Sequence, residues 1–306
     1  LDLMSSHLLQ SSQQLSGINN KKTRWDASTC VLITYADSIQ DEGCAGLVTL
    51  RKLLNTHLIP LASVVHVLPF LESTSDGGFA VSSHDTLAQR HGDWSDLEAL
   101  AAGRTLMADL VLNHISASHP WVQEFLNDAE PGRSCILTGS PDPCWDDVVR
   151  PRSSALFSPL VSTKGMQQVW TTFGPDQVDV DWKNPEVLKG FSSLMQRLCR
   201  HGVTWIRLDA IGFIWKEPFT NCIHRPEAHR IVEVLRLLLK ESVSSGVIVT
   251  ETNVPEQENL SYLRSGQEAH LAYNFPLPPL MLEAAISGKA DLLNGWLKRW
   301  PQLPDH

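Results

Sequence analysis

Two short apolar runs, each closing on a carboxylate, constrain this chain more than any other feature. Gly202 to Leu208 runs into Arg207-Leu208-Asp209-Ala210, and 42 residues beyond Asp209 the run Gly246 to Thr250 closes on Glu251. Both runs are short and rich in β-branched residues, the pattern of a strand buried on both faces. Between them, Glu227 to Ser242 carries Ile231, Val232, Val234, Leu235, Leu237, Leu238 and Leu239 at helical spacing. Strand, helix, strand predicts a parallel pair joined by a right-handed crossover. Both acids then stand at the carboxyl ends of their strands, the edge where parallel α/β folds place their chemistry. Two strand-end acids that merely cap the following helices are the structural alternative.

The same alternation extends along the chain. Strand-like runs are expected at Val31 to Tyr35, Ser63 to Pro69, Leu106 to Asn113, Val203 to Asp209, Val247 to Glu251 and His270 to Phe275. Helices are expected at Gly46 to His57, at Ser95 to Ala102 behind a capping box formed by Ser95 and Glu98, at Phe191 to His201 behind Asn184-Pro185, and at Pro279 to Trp300. Leu1 to Leu15 reads as a peripheral helix. The rhythm breaks from His114 to Lys183, about seventy residues rich in Pro, Ser, Asp and aromatics. A connection that long is a functional loop or a subdomain, and it leaves the strand end that carries the chemistry.

At 306 residues and 42% hydrophobic content the chain can bury a sizeable core. A net charge of −9 with no basic block argues against a nucleic-acid partner. The longest apolar run, Ser63 to Leu71, is too short to span a bilayer, and the first residues show no secretory pattern. Together with six cysteines that lack C-x-x-C spacing, this predicts a cytoplasmic protein with free thiols. Cys135 and Cys144, which bracket a short loop, are the one pair a disulfide would join. The first residue is not Met, which points to a fragment or a processed start.

The third strand ends in Asp109-Leu110-Val111-Leu112-Asn113-His114, with Asp109 and Asn113 expected on one side and His114 turning to the strand end. Together with Arg207-Leu208-Asp209-Ala210 and Thr250-Glu251, this resembles the first three conserved regions of the α-amylase family, glycoside hydrolase family 13. Further stretches are similar to its sucrose phosphorylase subfamily: Tyr35-Ala36-Asp37, His66-Val67-Leu68-Pro69-Phe70, Asp76-Gly77-Gly78-Phe79, Gly92-Asp93-Trp94 and Arg150-Pro151-Arg152. So are Val169-Trp170, Gln177-Val178-Asp179-Val180-Asp181 and Phe275-Pro276-Leu277-Pro278-Pro279-Leu280. The similarity is in register from about residue 30 onward. Glu251-Thr252-Asn253-Val254-Pro255 leans toward glucosylglycerate phosphorylase-like members.

The resemblance implies an α/β fold, a TIM (β/α)8-type barrel of which about six βα units are present. In that scheme residues 1–25 form a peripheral segment, 26–114 and 184–306 the partial barrel, and 115–183 an insertion after the third strand. It implies Asp209 as nucleophile, forming a covalent glucosyl ester, and Glu251 as general acid/base in a retaining reaction. Arg207, two residues before Asp209 and so on the same strand face, would keep Asp209 ionised at neutral pH. Glu251 needs the opposite tuning, a pKa raised by a drier pocket. His114 and Asp76 would hold sugar hydroxyls, with Phe79, Phe173 and Gln177 lining the pocket and Phe213 on the acceptor side. The implied partners are a small glucoside and inorganic phosphate, with no cofactor, no metal, no nucleic acid and no membrane.

Two departures stand out. Ser83 occupies a position where the family usually has Asp, and the chain stops before the seventh strand, whose end supplies the family's third carboxylate. The resemblance therefore predicts a C-terminally truncated chain with impaired activity. Competing readings are a hydrolase or transglucosidase of the same superfamily and a non-catalytic sugar-binding fragment. A metal site at His114 with His119, or at His224 with His229, is a weaker alternative. Trp145, Trp170, Trp182 and Trp215 are either sugar platforms or core.

Overall fold

The computed structural model describes residues 25–58 and 61–301, so the helix expected at Leu1 to Leu15 lies outside the described residues. Six strands form one sheet: β1 (Val31–Thr34), β2 (Val64–Val67), β3 (Thr105–Val111), β8 (Val203–Asp209), β9 (Val247–Thr250) and β10 (Leu271–Ala272). Their order in space is β1-β2-β3-β8-β9-β10, and every neighbouring pair is parallel. This is a partial TIM barrel, with β1 and β10 as its two edges. The sixth strand is shorter than expected. Tyr273 donates its backbone N–H to Thr250, but regular pairing covers only Leu271 and Ala272.

Helices pack on the outer face. They are α1 (Gly46–Leu53), α2 (Trp94–Ala101), α5 (Pro185–Arg200) and α6 (Pro226–Ser242), and the short α7 (Glu256–Asn259) and α8 (Ser261–Arg264) follow β9. In α5 the apolar stripe Val187, Phe191, Leu194, Met195 and Leu198 is buried, each large side chain contributing about 1.5–3 kcal/mol. Asn184 caps this helix by accepting from the Glu186 N–H at 3.0 Å, and Pro185 follows with its φ already set. The helix thus begins six residues before Phe191, at the start signal itself. Two helix expectations need correction. The capping box of α2 is made by Asp93 and Asp96 rather than by Ser95 and Glu98, so the helix starts at Trp94. The stretch Pro279 to Trp300 is not one helix but α9 (Leu277–Ser287) and α10 (Asp291–Leu297), broken where Gly288 takes φ +68°.

Residues 114–183 are more ordered than their composition suggests. They hold α3 (Pro120–Leu126), α4 (Gly132–Cys135), the antiparallel pair β4 (His114–Ser116) with β7 (Gln177–Asp179), and the hairpin β5 (Phe157–Ser162) with β6 (Gly165–Trp170). Pairing of β4 with β7 sets His114 opposite Asp179 and Ser116 opposite Gln177. That register returns the end of the segment to the carboxyl end of β3. Short helices of four to seven residues leave almost no periodic trace in sequence. All six cysteines are free, Cys135 and Cys144 included. Among the described residues no helix is long and apolar enough to cross a membrane.

Candidate active site

Alternate positions of the central strands face the barrel interior, and there the strands depart from apolar patterning. Register pairs Asp109 with Arg207, Val111 with Asp209, and Leu208 with Thr250, so Glu251 emerges beside Asp209. The Glu251 N–H closes the pairing by donating to the Leu208 carbonyl at 3.2 Å. Asp209 is followed at once by Ala210 at φ +52°, a left-handed turn that costs a non-glycine residue about 1 kcal/mol and bends the chain away from the strand end.

Arg207 is the hub. Its Nη1 donates to Asp209 Oδ1 at 2.8 Å and also to Asp109 Oδ1, while Nη2 lies 3.8 Å from Glu251 Oε2. The rings of Phe79 and Tyr273 lie 5.7 and 5.6 Å from the guanidinium carbon, within cation–π range. Burial works against its charge, but three carboxylates outweigh burial and hold Arg207 firmly protonated. Asp109 Oδ2 is 2.9 Å from His66 Nε2, and His66 Nδ1 is 3.4 Å from the Tyr273 hydroxyl.

Asp209 departs from expectation. Burial raises its pKa to about 7, with Asp109 and Glu251 adding to the rise and Arg207 opposing it. A guanidinium shared among three carboxylates does not keep this one fully ionised at neutral pH.

A second cluster lies across from this hub. Gln177 Nε2 donates to Asp76 Oδ2 at 2.8 Å and is 3.1 Å from His114 Nε2. Asp76 sits at φ +54° in a turn completed by Gly77 and Gly78. Gly78 takes φ +104°, and a Cβ there would meet the Pro69 carbonyl at 2.7 Å, so only glycine fits the close approach. Burial pushes His114 down to about 4, keeping the imidazole neutral. The Phe173 ring is 5.1 Å from His114 and 5.5 Å from Phe213. Phe79 joins the two clusters, since its ring faces Arg207 and its backbone lies beside His114. The nine residues singled out in sequence thus form one connected group: Asp209, Glu251, Arg207, Asp76, Phe79, His114, Phe173, Gln177 and Phe213.

Asn113 does not join Asp109. It serves a buried ion pair in which Lys216 Nζ contacts Asp179 Oδ2 and Asn113 Oδ1, each at 2.6 Å, and donates to the Phe213 carbonyl. Asp179 also accepts from Asn113 Nδ2 and the Thr172 N–H, both at 3.0 Å. This pair ties β7 to the loop that presents Phe213. Sequence reasoning missed Lys216 and the roles of His66 and Tyr273. The available signal was a polar residue inside an apolar run, as in Val64-Val65-His66-Val67. The histidines weighed as metal ligands serve other partners. His119 Nδ1 accepts from the Trp121 N–H at 3.1 Å, His224 Nδ1 meets the Tyr262 hydroxyl at 3.0 Å, and His229 Nδ1 meets Glu268 at 2.6 Å. Trp170 and Trp182 are core, with Trp182 stacked on Phe191.

Known proteins resemble this chain over most of its length. The family described as alpha amylase, catalytic domain, matches residues 61–302. A glucosylglycerate phosphorylase of Allomeiothermus silvanus is 44% identical over 273 residues, 89% of this chain and 49% of that protein. One from Escherichia coli K12 is 36% identical over 94% of this chain and 52% of its own length. The crystal structure of sucrose 6F-phosphate phosphorylase from Thermoanaerobacter thermosaccharolyticum superposes with a TM-score of 0.81 at 25% identity, covering 91% of this chain and 58% of that one. The chain spans about half the length of the curated relatives it matches. With its partial barrel, its paired strand-end acids and a family match over most of its length, the chain belongs to the α-amylase family.

Proposed function

We propose that this chain carries the donor-side machinery of a retaining α-glucosyl phosphorylase. Asp209 attacks the anomeric carbon of a glucoside as Glu251 protonates the leaving oxygen. A covalent glucosyl–Asp209 ester forms, and Glu251 then acts as base for inorganic phosphate, releasing α-glucose 1-phosphate. The observation that carries this reading is the single guanidinium reaching both acids, Asp209 at 2.8 Å and Glu251 at 3.8 Å. Double displacement needs about 5–5.5 Å between the carboxyl groups, a separation that a shared guanidinium allows.

Neutral His114 and Asp76, bridged by Gln177, supply donors and acceptors for sugar hydroxyls, while Phe79, Phe173 and Phe213 wall the pocket. Glucosylglycerate is the favoured donor, because the relatives at 36–44% identity are glucosylglycerate phosphorylases while a sucrose phosphorylase from Agrobacterium vitis stands at 30%. Six free cysteines favour a reducing, cytoplasmic setting. Six strands bring two strand-end acids, so these 306 residues alone are expected to turn over slowly and to bind glucoside in preference to cleaving it.

The test is incubation with glucosylglycerate or sucrose, with and without phosphate, assaying glucose 1-phosphate and free glucose. Phosphate-dependent glucose 1-phosphate supports the reading. Free glucose alone, whatever the phosphate concentration, would replace it with hydrolysis.

A further inference from the structure

Beneath the two acids lies a polar chain that the proposed chemistry does not use directly, running Tyr273–His66–Asp109–Arg207. We infer that His66, oriented by Tyr273, is a positioning residue that holds Asp109 so that Arg207 is left to serve Asp209. This rests on the role proposed for Asp209.

The argument is one of competition. A single nitrogen, Arg207 Nη1, donates to both Asp109 Oδ1 and Asp209 Oδ1. Asp109 has no exposed side-chain surface, so its carboxylate must be satisfied from within. Among the described residues its side chain has two hydrogen-bond partners, Arg207 on Oδ1 and His66 Nε2 on Oδ2 at 2.9 Å. Remove the His66 donor, and Asp109 draws the shared guanidinium toward itself. Asp209 then loses the charge-assisted bond that opposes its burial.

Tyr273 completes the arrangement. Its hydroxyl lies 3.4 Å from His66 Nδ1; with Nε2–H donating to the Asp109 carboxylate, the neutral imidazole has Nδ1 left to accept from that hydroxyl. The groups bearing on Asp109 are therefore His66 from β2, Arg207 and Asp209 from β8, Glu251 after β9 and Tyr273 after β10. His66 is itself buried, and among the described residues its side chain bonds to Asp109 and Tyr273 and to neither reacting acid. Its strand is otherwise Val64, Val65 and Val67, all buried, so His66 is the one polar side chain in an apolar strand.

Titration of Asp209 in the 306-residue chain tests this, followed by carboxyl 13C NMR on Asp-labelled protein, with the resonance assigned by its loss in Asp209→Asn. His66→Leu is expected to raise the Asp209 midpoint by about one pH unit. His66→Gln places an amide N–H where Nε2 stood and is expected to restore a midpoint close to the parent's. Tyr273→Phe frees the tautomer and is expected to give a smaller rise. An unchanged midpoint in His66→Leu, or an equal shift in His66→Leu and His66→Gln, would overturn the inference. Should His66→Leu fail to fold, Tyr273→Phe decides, and an unmoved midpoint there overturns it. The titration is read without substrate, so failure of glucosyl transfer would sink the proposed function and leave this result standing.

Discussion

The centre and the edges of the sheet are built on opposite terms. Strands β3, β8 and β9 have neighbours on both sides, and their inward positions hold a closed network of charge in which Asp109, Arg207 and Asp209 are buried or nearly so. The edge strand β1 pairs Val31 with Val64 and Ile33 with His66, which turns both inward, yet they remain 39% and 48% exposed. At the other edge, α9 and α10 bury no residue fully, and Ile286 is 78% exposed. Burial is what gives the central charges their strength, since a low dielectric strengthens each ion pair and penalises each unpaired charge. The contrast teaches that the acids are positioned by strands already flanked on both sides. The edges reach that network at one point, through Tyr273 just after β10.

The largest effect expected from this contrast is at the hub. Arg207→Leu leaves Asp109, Asp209 and Glu251 without their shared cation, a loss of about 3–5 kcal/mol by the usual cost of orphaning a buried charge. Lys216→Met should fall in the same range by stranding Asp179, and urea unfolding of each variant checks both. A result near zero for either would mean that the buried network is less dry than its geometry implies.

Next comes Asp209 itself. Its folded pKa of about 7 exceeds its unfolded value near 4, so the folded state binds the extra proton between those limits. Stability from this group is therefore present at low pH and lost as pH rises from about 4 to 7. Asp209→Asn should stabilise the chain at pH 8 by about 2–4 kcal/mol, with the gain gone at pH 4, as read by thermal unfolding across pH.

Histidines act in the opposite direction. Burial lowers His114 to about 4 and His119 to about 3, with His84 adding to the fall at His119. Each contributes stability that is complete above pH 6.5 and lost as pH falls toward 4. A melting-temperature profile should therefore drop between pH 6.5 and 4, and drop more steeply in Asp209→Asn, which lacks the opposing term. The smallest effect is expected at the edges, where Ile33→Ser or Ile286→Ser should change stability by about 0.5 kcal/mol or less.

Much of this architecture is legible in sequence, for physical reasons. Fully buried parallel strands must be short, apolar and β-branched, so Val203 to Asp209 and Val247 to Glu251 announce themselves, and period 2 sets Arg207 with Asp209. The turn at Asp76 is visible because two glycines are needed there. What stays hidden depends on contacts between distant segments. Lys216 and Asp179 meet through the return of β7 to β3, and His66 meets Tyr273 across 207 residues, so no local spacing marks either pair. The ionisation of Asp209 is hidden for the same reason. Arg207 two residues away is plain in the sequence, but its division among three carboxylates appears only once the strands are side by side.

The central claim is that Asp209 is the nucleophile and Glu251 its acid/base. An activated glucosyl fluoride needs no acid to expel fluoride, so incubating it with Glu251→Gln should trap the ester, because the base for the second step is gone. Peptide mass mapping is expected to find one hexosyl unit on the peptide containing Asp209, and none in the Asp209→Asn, Glu251→Gln double variant. A hexosyl unit on another carboxylate, or no adduct on any residue, would contradict the account.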